Sequence, residues 1–190
     1  MRFRNLVALV GLASAVSFAA PIAYFANLSG PNESPANASP GIGSAFVTID
    51  TIAHLMTVNV IFSGLTGNTT ASHIHCCTAL PFISTAGVAT QTPTFSGFPL
   101  GVTAGSYSNT FDMTLASSYN PAFVTANGSI AASEAALAAA FNTGQAYLNV
   151  HSTTFGGGEI RGFLVPTPEP ATFALLGAGL LGLVFLRRKL

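Results

Sequence analysis

The chain has 190 residues, of which 49% are hydrophobic and only 6% charged, with no formal net charge. That length suits one domain with a substantial core. Between positions 20 and 165 five acids (Glu33, Asp50, Asp112, Glu134 and Glu159) face a single base, Arg161, a net charge of minus four. Such a body offers no basic footprint to a phosphate backbone, which excludes nucleic acid as a partner.

The first 19 residues read as an export signal. Arg2 and Arg4 form a basic start, Leu6 to Val16 is an apolar run, and Ser17-Phe18-Ala19 supplies the small residues that a signal peptidase reads, with cleavage expected after Ala19. The apolar run is shorter than the ~20 residues a membrane span needs.

Residues 20–165 are expected to form a mainly β domain, an antiparallel sandwich or barrel with one short helix. Ile22 to Leu28 is a first strand, and Ala45, Val47 and Ile49 line one face of a second. Met56, Val58, Val60 and Phe62 give a third strand with one fully apolar face, and Tyr107, Phe111 and Met113 alternate with polar residues in another. Turn formers such as Pro40-Gly41, Ser63-Gly64 and Gly67-Asn68 separate them. Many short strands with this punctuation indicate a sandwich or barrel.

Side chains that can ligate a metal concentrate in Ser72-His73-Ile74-His75-Cys76-Cys77. In a strand, His73, His75 and Cys77 share one face, and alternate residues are about 6.5–7 Å apart, close enough for two imidazoles to reach one ion. Tyr147-Leu148-Asn149-Val150-His151 offers a third imidazole if the two strands are neighbours. Reduced Cys77 beside the histidines suits zinc or copper better than calcium. The structural alternative is that the rings only tie loop carbonyls. In an oxidising compartment Cys76 and Cys77 have three fates: a vicinal disulfide, a bond to another molecule, or free thiols. Adjacent strand residues face apart, so the vicinal bond requires a departure from regular strand.

Ala79 to Gly105, rich in Pro, Gly, Thr and Ser, reads as an extended loop with a short strand inside. Ser133 to Phe141 is alanine-rich, with Ser133 as N-cap, Glu134 in the first turn and Gly144 beyond the end, and predicts a crossover helix near 133–142 that buries Leu137 and Phe141. In Glu159-Ile160-Arg161 the alternation turns Ile160 to the core and puts Glu159 and Arg161 on the opposite face, which does not make them partners of each other; each serves structural ion pairing, Arg161 as a carboxylate anchor. Five Asn-x-Ser/Thr triplets, starting at Asn27, Asn32, Asn37, Asn68 and Asn127, follow from the abundance of those residues.

At the C-terminus Pro168-Glu169-Pro170 precedes an apolar run, Ala171 to Leu186, and the basic cluster Arg187-Arg188-Lys189. Sixteen residues make a helix of roughly 24 Å, able to serve as a membrane helix with its flanks, and the cations would stay cytoplasmic. This three-part tail closely resembles the PEP-CTERM sorting signal of Gram-negative bacteria. The resemblance implies an exosortase-type processing enzyme as partner, removal of the tail near the motif, and an address in the cell envelope or extracellular matrix.

The body resembles a CHRD domain, through Leu28-Ser29-Gly30-Pro31-Asn32-Glu33-Ser34-Pro35, Ser63-Gly64-Leu65-Thr66-Gly67, His73-Ile74-His75, Tyr147 to His151, and Gly157 to Leu164. It departs from that family where Glu33-Ser34-Pro35-Ala36 replaces Glu-Val-Pro-Pro, and where Cys76-Cys77 follow the paired histidines in place of Gly-Pro. The family implies a β fold and extracellular placement without an agreed catalytic activity. Three functions follow in order. The first is a non-catalytic surface or matrix module, with exopolysaccharide as one conceivable partner. The second is a zinc or copper protein using His73, His75, His151 and Cys77. The third, least favoured, is an enzyme similar to copper-zinc superoxide dismutase, for which His54 is the single remaining histidine.

Overall fold

The structure is a computed structural model and describes residues 21–167. Eight strands form one antiparallel sheet that curls into a half-barrel: β1 (Ile22–Ser29), β2 (Ile42–Asp50), β3 (Leu55–Ser63), β4 (Thr69–Cys76), β5 (Gly105–Asp112), β6 (Ala146–Ser152), β7 (Ile160–Phe163) and β8 (Val165–Pro166). Their order is β4-β6-β7-β1-β2-β3-β5, with β8 alongside β1. Of the two expected forms, sandwich or barrel, the sheet takes that of a half-barrel, because these strands join one continuous ladder instead of two facing sheets.

Alternation decides which face is buried. Tyr24, Ala26 and Leu28 of β1, Val47 and Ile49 of β2, and Met56, Val58, Val60 and Phe62 of β3 all point to one side and are almost fully buried. Burying such side chains contributes roughly 1.5–3 kcal/mol each. Ile74 of β4 and Leu148 and Val150 of β6 continue the same core.

The inside of the curl is filled by a loop and by helices. Residues 77–104 run from the end of β4 to the start of β5 with only isolated bridges at Val88 and Thr90, not the expected internal strand. This loop bonds along the outer edge of β4, where Ala89 N donates to Ile74 O at 2.9 Å and Phe95 N to Ser72 O at 3.1 Å. It thereby covers an edge that would otherwise offer unpaired backbone groups. It also inserts Phe95 against Tyr107 and Phe111, with ring centroids 5.8 and 5.4 Å away.

Two helices occur among the described residues, α1 (Pro121–Asn127) and α2 (Ile130–Thr143), where one near 133–142 was expected. Asn120 caps α1 with Pro121 in its first turn, and Gly128 ends it in the left-handed region at φ 82°. The N-cap of α2 is Ser129, which accepts from Ala132 N; Ser133 lies a turn inside, fully buried and bonded to Ser129 O. Glu134 is therefore not in the first turn. It is buried and accepts from His54 Nδ1 at 2.7 Å. Leu137 and Phe141 are buried as expected, and Phe141 packs on Tyr24 at 5.0 Å. Gly144 caps the C-terminus at φ 67°.

Candidate metal centre

The face of β4 and β6 opposite the core carries the histidines. In the antiparallel register His73 pairs with Asn149, His75 with Tyr147 and Ala71 with His151, so His73, His75, Tyr147, Asn149 and His151 share that face. The 77–104 loop roofs part of it, which leaves His73 and His75 buried and His151 half-buried.

Each imidazole is oriented by a main-chain carbonyl. His73 Nε2 donates to Pro93 O at 2.6 Å, His75 Nδ1 to Ala86 O at 2.8 Å, and His151 Nδ1 to Gly156 O at 2.9 Å. A carbonyl oxygen only accepts, so these three nitrogens carry the protons of the neutral rings. The remaining nitrogens, His73 Nδ1, His75 Nε2 and His151 Nε2, are lone-pair donors. His73 Nδ1 and His151 Nε2 face each other at 3.3 Å without a proton to share, and His75 Nε2 is buried with no hydrogen-bond partner. Each ring brings one nitrogen to within 4.8 Å of a nitrogen of the other two.

This arrangement has the form of a metal centre whose ligands are held by an outer shell of hydrogen bonds. A tetrahedral ion at about 2.0–2.1 Å from each nitrogen spaces its donors by roughly 3.3 Å. No pair here has to close by more than about 1.5 Å to meet that spacing. Protonation does not compete at neutral pH. Burial holds all three rings below the ordinary histidine range, opposed for each by the carbonyl that accepts from it, and His75 is lowered to about 4. An all-imidazole set suits zinc or copper.

Cys77 does not join the set. β4 ends at Cys76, and Cys77 lies in the following loop, exposed, with its sulfur tied to Cys76 in a vicinal disulfide and directed at Ala136 O, 3.9 Å away. Neither cysteine is a thiolate ligand in this state. His54 is also elsewhere, in the tight turn before β3 and engaged with Glu134.

Residues 24–164, spanning nearly all of the sheet and both helices, match the CHRD domain. The chain belongs to the CHRD domain family. Residues 166–189 match the PEP-CTERM protein-sorting motif. No curated protein and no solved structure matches the chain. The sorting motif marks the CHRD domain as exported to the envelope of a Gram-negative bacterium and sorted by exosortase-type machinery. Pro168, Glu169 and Pro170, the run 171–186 and the N-terminal signal lie outside the described residues.

The charged residues flanking Ile160 are held by separate partners. Glu159, Ile160 and Arg161 are all buried. The carboxylate beside Arg161 is Glu33, 3.8 Å from Nε, not Glu159. Arg161 Nε also donates to Asn32 O and Nη1 to Ser84 O at 3.1 Å, and its guanidinium sits 4.7 Å above the Tyr147 ring. The other face of the network is closed by Tyr147 stacking on His75 at 4.8 Å. Glu159 instead accepts from Ser39 Oγ at 2.6 Å and from Thr66 Oγ1 at 2.9 Å. Burial pushes its carboxyl up, and the hydrogen bonds from Ser152, Ser39 and Thr66 together outweigh this and hold it below the usual range.

Sequence reasoning passed over Asn149 and Tyr147 as neighbours of the rings. Their signal was present, since Tyr147, Asn149 and His151 alternate on one strand face. Asn149 is almost fully buried, and its Oδ1 lacks a partner.

Proposed function

We propose that this CHRD protein is an exported, non-catalytic envelope module that binds one zinc or copper ion through His73, His75 and His151. The observation that carries the proposal is the convergence of three imidazoles, one nitrogen of each within 4.8 Å of the others, in rings that each commit a nitrogen to a carbonyl. On this proposal signal peptidase cuts after Ala19, the apolar run 171–186 holds the chain in the inner membrane, and exosortase-type processing near Pro168-Glu169-Pro170 frees it toward the matrix and its exopolysaccharide.

Calorimetric titration with zinc and with copper near neutral pH tests the ion site. One saturable equivalent is expected, lost in His75→Ala and kept in His54→Ala, whose ring is engaged with Glu134. The second reading is favoured by the same carbonyl bonds: the rings serve to tie the loops at Pro93, Ala86 and Gly156. In that case neither variant changes metal content, and His75→Ala loses stability alone.

A further inference from the structure

We propose that the three-histidine centre keeps a coordination position open and that a small monoanion occupies it. The inference rests on the metal-binding proposal above and adds a ligand class to it. Zinc and copper(II) take at least four donors in most sites, and a site with three protein ligands completes its shell from solvent or substrate.

The described residues offer no fourth titratable ligand to this cluster. Cys76 and Cys77 are bonded to each other, His54 holds Glu134, Glu33 lies with Arg161, and Glu159 is engaged by Ser39 and Thr66. Three neutral imidazoles leave both charges of a divalent ion uncompensated, in surroundings where His73 and His75 are buried. The ion then dominates the local field, and that field favours an anion as the next ligand.

His151 is the least covered of the three rings, and beyond its Gly156 carbonyl the backbone at Gly156 and Gly157 has open space, with nothing within 4 Å of where a side chain would begin. On the inner side, the Asn149 carboxamide lies against Gly158 on the same sheet face as the three rings, with Oδ1 unpartnered. A side chain at Gly158 would begin 2.8 Å from Asn149 Nδ2 and 2.6 Å from Glu33 Oε1, so glycine leaves room for that placement. An anion carrying a hydroxyl, such as hydrogencarbonate, would give Asn149 Oδ1 the donor it lacks.

The test uses the full chain in detergent, loaded with copper(II) and titrated with azide while its visible and electron paramagnetic resonance spectra are recorded. A saturable azide-to-copper charge-transfer band at one equivalent per copper is expected, displaced competitively by hydrogencarbonate. Asn149→Leu should weaken hydrogencarbonate about fivefold and leave azide within about twofold, the effect of losing one hydrogen bond. Copper bound through nitrogen ligands whose spectra stay unchanged at high azide would overturn the open position alone. Failure of copper to bind would overturn the metal centre and this inference together.

Discussion

Three carbonyl oxygens, on Ala86, Pro93 and Gly156, set the protonation of three rings, and protonation sets what those rings can do. The same burial that exposes lone pairs to an ion makes the rings costly to charge. Histidines whose folded pKa lies below 6.5 contribute stability that is full above that value and is lost as pH falls; for His75, lowered to about 4, the loss between those values is roughly 3 kcal/mol. Metal affinity therefore declines at more acidic pH than an exposed histidine would dictate. Glu33 acts in the opposite sense. Burial raises its carboxyl to about 7, against the opposing charge of Arg161, so its contribution is full below about 4.5 and is lost as pH rises through 7. Glu33→Gln should accordingly gain stability relative to the wild type at pH 8 compared with pH 5, by up to about 3 kcal/mol. Denaturant midpoints at the two pH values check this, and an equal difference at both would contradict it.

Among the elements, β2, β3 and β5 are readable in sequence because their two faces differ in polarity residue by residue, as Val58 and Val60 do from Thr57 and Asn59. The helices are less readable for a physical reason. An alanine-rich run such as 135–140 has no sharply apolar stripe, so its ends must be found from caps, and Ser133 resembles a cap as well as Ser129 does. Glu134 looks like a first-turn acid until His54, 80 positions away, is folded against it. The 77–104 loop carries the largest energetic consequence that composition hides, since its Pro, Gly and Ser content says nothing of the core role of Phe95. Phe95 is fully buried, and Phe95→Ala should cost about 3–5 kcal/mol, whereas Ile83→Ala in the same loop, at a side chain 53% exposed, should stay within about 0.5 kcal/mol. Urea unfolding of both variants measures the contrast; equal losses would show that the loop does not pack as a lid on the curl.

At the scale of the molecule, strand pairing was beyond sequence, because a single curled sheet and two facing sheets require the same alternation and differ only in which strands meet. The site was legible in part. His73 and His75 follow from period-two alternation and His151 from the neighbouring strand, while Cys77 was misplaced because the strand stops one residue before it. The carbonyls that fix the tautomers sit in loops and carry no sequence signature. The CHRD domain thus presents a sheet whose core-remote face brings together histidines from β4 and β6 under a loop roof. The most direct measurement is a crystal structure of the protein grown with zinc, with diffraction recorded on both sides of the zinc absorption edge. The account predicts one anomalous peak about 2.0–2.1 Å from His73 Nδ1, His75 Nε2 and His151 Nε2. Well-ordered rings with no peak between them, or zinc held solely elsewhere on the surface, would contradict it.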